Sequence, residues 1–174
     1  LTSQAIIGGV QALAGAIKNV GTSAVDSVKN SAAYADDILT MSTQTGIATD
    51  TLQELKYMQE LTDVSLETVT KSMAKNIKSM SSAQGGSKDL AEAYKLLGVN
   101  VTDSSGKLRN SETVFWESVD AIGKMSNETE ANATAMKLFG KSAQDLNPLI
   151  AIGSDGVKKF AQEARDMGAV LNTK

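Results

Sequence analysis

Apolar or small residues recur at steps of three and four along the start of the chain: Ile6, Val10, Leu13, Ile17, Val20, Ala24, Val28, Ala32, Ala35 and Leu39. That spacing keeps one face of an α-helix apolar. Strict alternation of threes and fours is a heptad seam; the run of fours around Val28 is a stutter that locally unwinds it. A helix of about 38 residues spans roughly 57 Å. One so long needs a partner, because a helix gains most of its stability by burying its apolar face. The pattern therefore predicts a helical arm over residues 1–45 that pairs with other copies of the chain through Ile6, Val10, Leu13, Ile17 and Val20. Gly8, Gly9, Gly15 and Gly21 each weaken it by about 1 kcal/mol relative to Ala, so it frays when alone.

Leu1 to Ile17 carries no charged residue, and Lys18 is the first. Thr2, Ser3, Gln4 and Gln11 interrupt this stretch, and it is shorter than the ~20 apolar residues that span a bilayer. A small-residue packing face is the expectation; a membrane-perturbing segment is an alternative. Leu1 in place of Met, followed by Thr2 to Gln4 rather than a charged leader, predicts a fragment of a longer protein.

Beyond the arm the periodicity remains helical. Gly46 reads as the residue that ends the arm, and Asp50 with Gln53 as a helix cap and its partner. Leu52, Leu55, Tyr57, Met58 and Leu61 form one apolar face. After Ser65, Leu66, Val69, Met73, Ile77 and Met80 form another. Residues 46–84 thus read as a helical pair, closed by the loop composition Ser81-Ser82-Ala83-Gln84-Gly85-Gly86-Ser87. Residues 85–174 read as a compact module. Leu90, Tyr94 and Leu97 mark a short helix stopped by Gly98. Val99 to Arg109 alternates around Asp103-Ser104-Ser105-Gly106 and predicts a small β-hairpin. Helix resumes after Asn110 with Val114, Phe115, Val119, Ile122 and Met125 inward. Asn127 with Glu130 caps a helix through Met136, Leu138 and Phe139 that Gly140 closes. Ser142 opens a segment disturbed by Pro148, and Val157 to Met167 forms the last helix, stopped by Gly168. The predicted fold is mainly α: a long N-terminal arm, then a multi-helix module with one small β-hairpin near 99–109.

The missing residue types limit the chemistry. None of the 174 residues is Cys or His. Disulfides, thiolate zinc sites, cysteine nucleophiles, Ser-His-Asp triads and HExxH sites are thereby excluded. A net charge of −3 with seven aromatics (three Phe, three Tyr, one Trp) gives no nucleic-acid grip, since that needs clustered cations or stacking rings. Asp103, Ser105 and Glu112 fall near calcium-loop positions around Gly106, but Val101 stands where a side-chain oxygen is required. The pairs Asp36-Asp37 and Glu128/Glu130 have no apolar surroundings to raise a carboxyl for acid catalysis. No phosphate loop or dinucleotide fingerprint occurs. Catalytic, metal and cofactor residues are therefore expected to be none. The seven Met residues suit gap-filling in a core. Trp116, beside Phe115 and about 100° round the helix from it, is the best single interface candidate.

The linear order of these pieces resembles a known family. Leu96-Leu97-Gly98-Val99-Asn100-Val101, Asp103 to Arg109 with Gly106 in its turn, Ile122-Gly123-Lys124-Met125, Ala133 to Ser142 containing Leu138-Phe139-Gly140-Lys141, and Leu146-Asn147-Pro148-Leu149-Ile150 look like the conserved part of phage tail tape measure proteins. Thr45 to Ala48 with Leu52 to Leu55, and Glu163 to Gly168, are similar to the family too; coverage is about residues 31–170. The resemblance implies a structural protein of the virion tail, assembled in the host bacterial cytoplasm. Such a chain sets tail length inside the tail tube and leaves with DNA ejection. Its implied partners are other copies of itself, the tail tube protein and tail assembly chaperones, and no catalytic residue carries over. The alternative is a helical coiled-coil scaffold or interaction module of bacterial origin.

Overall fold

The computed structural model describes residues 32–170, which form seven α-helices and one 3-10 segment. They are α1 (Ala32–Thr45), α2 (Thr49–Thr62), α3 (Leu66–Gln84), α4 (Lys88–Leu96), α5 (Ser111–Gly123), α6 (Glu128–Phe139), the 3-10 segment Lys141–Leu146, and α7 (Asn147–Asp166). The mainly α expectation holds. The arm positions Ile6, Val10, Leu13, Ile17 and Val20 lie outside the described residues.

The described residues divide into two units, 32–66 with 155–170, and 67–154. In the first, α1 packs on α2. Tyr34 and Ile38 face inward, whereas Ala35 is exposed and Leu39 is 51% exposed. The inward stripe of α1 is thus displaced by one residue from the seam read in the sequence. The cause is area: Tyr34 and Ile38, one turn apart, bury far more apolar surface than Ala35 offers. The α1–α2 corner turns at Gly46 (φ 72°), where the Ser42 hydroxyl donates to the Ile47 carbonyl at 2.7 Å. Asp50 lies in the first turn of α2 and Ala48 occupies the cap position; there an acidic side chain still favours the helix dipole. Leu52, Leu55 and Met58 are buried as expected. Tyr57 donates its hydroxyl to the Met167 sulfur at 3.3 Å, and Arg165 pairs with Glu54. Lys56 lies 4.5 Å above the Tyr34 ring, within cation–π range.

In the second unit α6 packs against α4, α5 and the 3-10 segment. Val114, Phe115, Val119, Ile122, Leu138, Phe139, Leu146 and Leu149 are buried. The rings of Phe115 and Phe139 lie 4.8 Å apart. On α3, Val69, Met73 and Met80 are buried but Ile77 is 42% exposed; Asn76 is fully buried in its place. Ser72 and Ser79 are buried too. The face that α3 turns inward is therefore part polar, one residue round from the stripe that hydropathy alone selects.

The turn regions carry the remaining differences. Residues 99–109 hold one isolated antiparallel bridge, Thr102 with Leu108, and no strand occurs among the described residues. Val99 is tied back to α4, its N–H donating to the Tyr94 carbonyl at 3.0 Å. At the other end Asn110 caps α5 by accepting from the Thr113 N–H at 2.9 Å. Between those anchors the pairing is limited to two cross-turn backbone bonds, the Asp103 N–H to the Lys107 carbonyl at 2.8 Å and the Arg109 N–H to the Val101 carbonyl at 2.9 Å. The Asp103 side chain organises the turn, accepting from the N–H groups of Ser105 and Lys107 at 2.8 and 3.1 Å. The Ser105 side-chain bond, then those backbone bonds, hold its carboxyl below the usual range.

Pro148 does not disturb a helix. It sits in the first turn of α7, where its missing N–H costs nothing. The break in α7 is Gly153, at φ 71° and ψ 175°. Asn127 caps α6 as expected, accepting from Thr129 and Glu130. Gly168 (φ 68°) ends the last helix, with the Ala169 N–H returning to the Ala164 carbonyl at 2.8 Å.

Candidate interaction site

A cleft of about 450 Å³ opens in the second unit where the end of α4 meets the second half of α5. Leu96, Leu97, Val99 and Met125 give it apolar walls; Glu117, Asp120 and Lys124 give it charge. Leu96 is 65% exposed. Both carboxylates already have partners. Arg109 grips Glu117 in a two-pronged pair at 2.9 and 2.7 Å; the hydrogen bonding, against an opposing desolvation and with a lesser help from charge, holds the Glu117 carboxyl below its ordinary value. A general acid needs the opposite shift, so this geometry suits bracing rather than proton transfer.

Asp120 reaches across to the break in α7. One of its oxygens accepts the Ser154 N–H at 2.6 Å, and the other accepts the Ser154 hydroxyl. A Cβ on Gly153 would stand 3.1 Å from that carboxylate. Nearby, a Cβ on Gly123 would stand 2.9 Å from the Ile150 carbonyl oxygen, so the backbones of α5 and α7 meet at a residue without a side chain. Asp120→Ala is expected to lose about 1–2 kcal/mol, because Ser154 is left without its acceptor; urea unfolding of the variant measures it.

Glu117 also sets an acid limit. Its carboxyl is depressed in the folded chain, so its pair with Arg109 contributes above the unfolded-state pKa of about 4.3. That contribution disappears as pH falls through the folded value. Carbon-13 NMR should place the Glu117 midpoint below that of a free glutamate, and Arg109→Ala should move it up.

The residues singled out in the sequence occupy different kinds of place. Gly98, Gly106 and Gly140 have φ of 69°, 81° and 86°, a region that favours glycine. Leu138 and Phe139 are core residues at 0% and 1% exposure. Pro148 starts α7, and Lys141 is an exposed residue opening the 3-10 segment. Trp116 is half-buried, edge-on to Phe115 with ring centres 5.1 Å apart. Asp36, Asp37, Glu128 and Glu130 are exposed. Among the described residues no three acidic side chains converge as a metal site would need, and no helix is long and apolar enough to cross a membrane.

The polar contacts that fix helix register escaped the sequence reading. Asn76 donates to the Ser111 carbonyl at 3.1 Å and accepts from the Tyr94 hydroxyl at 2.7 Å. Ser79 donates to the Leu138 carbonyl at 2.9 Å. The spacing Ser72, Asn76, Ser79 is itself a helical stripe, and this was the available signal. Asp120 had no such signal. No protein-family model, curated protein or solved structure matches the chain.

Proposed function

We propose that this chain is a structural element of a phage tail, of the tape measure type, and that it works by length and packing. What supports the reading is the order of the motifs, which resembles that family. Their positions fall where a helical fold is decided. Gly98, Gly106 and Gly140 take positive φ, Leu138 and Phe139 fill the core, and Pro148 opens a helix. A motif of that kind specifies an architecture; it does not require a reaction.

A helix rises about 1.5 Å per residue, so chain length can serve as a ruler. Even wholly helical, this chain reaches only about 260 Å, and the unit 67–154 is better suited to organising or docking than to measuring. Its partners in this reading are other copies of the chain, the tail tube protein and tail assembly chaperones. Its places are the virion tail and, during assembly, the host cytoplasm. Mass spectrometry of purified tails tests this: the chain's peptides should co-purify with the tube protein, and loss of its gene should abolish normal tails. Its absence from purified tails, with normal tails after deletion, sinks the proposal and leaves the helical scaffold.

A further inference from the structure

Glu117, Asp120, Ala121 and Lys124 follow the spacing of one helix face, and this face of α5 lines one side of the cleft. Ala121, near its middle, ends at Cβ and leaves room above it. The end of α4 supplies the other side. The inward residues of α4 are Ala93 and Tyr94, at 7% and 2% exposure. Leu96 stands about 200° round the helix from Tyr94, so it has no share in that core. At 65% it is the most exposed large apolar side chain among the described residues. Leu97 and Met125, both half-buried, line the same cleft.

The charged groups here are unequally engaged. Both Glu117 oxygens accept from Arg109, and both Asp120 oxygens accept from Ser154. Lys124 is exposed and makes no ion pair among the described residues. What the cleft still offers is aliphatic surface and one cation. We propose that it binds a short segment of another protein in which aliphatic side chains flank a carboxylate. The aliphatic groups settle against Leu96, Leu97 and Met125, and the carboxylate pairs with Lys124. A volume of about 450 Å³ lies within the range of sites that enclose a small ligand, so it takes a few side chains rather than a whole domain face. The unbranched Met125 side chain can adapt to such a guest. A cationic segment would meet Lys124 as a like charge, with both carboxylates already held. The inference rests on the cleft alone and not on the tail reading.

The test uses a short end-blocked peptide of leucine and glutamate, with counterparts in which glutamine or lysine replaces the glutamate. The full chain, labelled at its methionine methyl groups, is titrated by NMR, and the signal missing from Met125→Leu identifies the Met125 methyl. The glutamate peptide should shift that methyl saturably. It should bind more tightly than the glutamine peptide, and the lysine peptide should bind least. Lys124→Gln should weaken the glutamate peptide by up to about fivefold, the range for an exposed ion pair. Lys124→Glu should reverse the order of the three peptides. Leu96→Ser should weaken the glutamate peptide by about tenfold through lost apolar burial. Both side chains are exposed, so circular dichroism of these variants should match the wild type. Decanoate serves as an amphiphile without a peptide backbone. No shift of Met125 with the glutamate peptide, equal binding of the three peptides, undiminished binding in Leu96→Ser, or a shift with decanoate alone overturns the proposal. None of these results bears on whether the chain belongs to a tail.

Discussion

Replacing Phe115 with alanine should remove about 3–5 kcal/mol of stability, the range for a buried aromatic cut to a methyl group. Phe115 is completely buried and touches two other rings, Phe139 at 4.8 Å and Trp116 at 5.1 Å. It links α5 to α6, and α6 in turn packs on α4 and the 3-10 segment. A hole here therefore weakens most of the second unit at once. Domains of this size are held by only about 5–15 kcal/mol, so the variant should unfold at much lower urea. Far-ultraviolet circular dichroism follows the helices. The single Trp116 reports the aromatic cluster directly, and its emission should shift red even before unfolding. Met136→Ala, a cut of similar chemistry at a site 38% exposed, should cost under about 1 kcal/mol, since a surface side chain leaves no cavity. Equal losses in the two variants would mean that the aromatic cluster does not hold the unit.

Asn76→Ala should be nearly as damaging, for a different reason. Asn76 is fully buried and satisfies the Ser111 carbonyl and the Tyr94 hydroxyl. Alanine strands both in the interior, at about 1–3 kcal/mol for each unmade bond. The hydroxyl would keep only its 3.4 Å contact with the Asn76 carbonyl. Adding Tyr94→Phe to Asn76→Ala should recover part of the loss, because one orphaned group is then gone. A double-mutant cycle reads this as a coupling of about 1 kcal/mol or more; simple additivity would show that the pair does not matter. Tyr94 carries an alkaline signature as well. Burial pushes its hydroxyl pKa well above the ordinary value, so the folded chain favours the protonated form. That contribution is complete below the unfolded-state pKa of about 10 and is lost as pH rises beyond it. Tyr94→Phe should reduce the alkaline dependence and leave the share of Tyr34 and Tyr57, whose hydroxyl pKa burial also raises.

How far the sequence reveals the molecule depends on which force decides each element. Helix ends were legible where one residue acts alone: Gly46, Gly98, Gly140 and Gly168 take positive φ, and Asn127 accepts the cap bonds expected of it. Core positions were legible where area decides, as with Leu52, Met58, Phe115 and Phe139. Phase was harder. Hydropathy favours Ile77 over Asn76, but Asn76 is the one whose bonds reach α4 and the start of α5. Only tertiary partners make an amide preferable inside. The turn at 99–109 misled for a similar reason. Its alternation is real, yet Val99 and Asn110 are claimed by the helices on either side. At Pro148 the local rule was right and the register wrong: proline opens α7, and Gly153 breaks it. Of the candidate site, Gly98 and Leu96 were visible as motif letters, while the Asp120–Ser154 brace joins residues that nothing in the linear order associates.

The central proposal is that this chain is a phage tail protein that acts through its length and its helical packing. Measuring tail length tests it most directly. Four helix-forming heptads, about 28 residues, are inserted in register within residues 1–30 of the virion's own copy. Tails imaged by electron microscopy should then be longer by about 42 Å, the rise of that much helix, and a deletion of equal size should shorten them by as much. Tails of unchanged length in both virions would contradict the account.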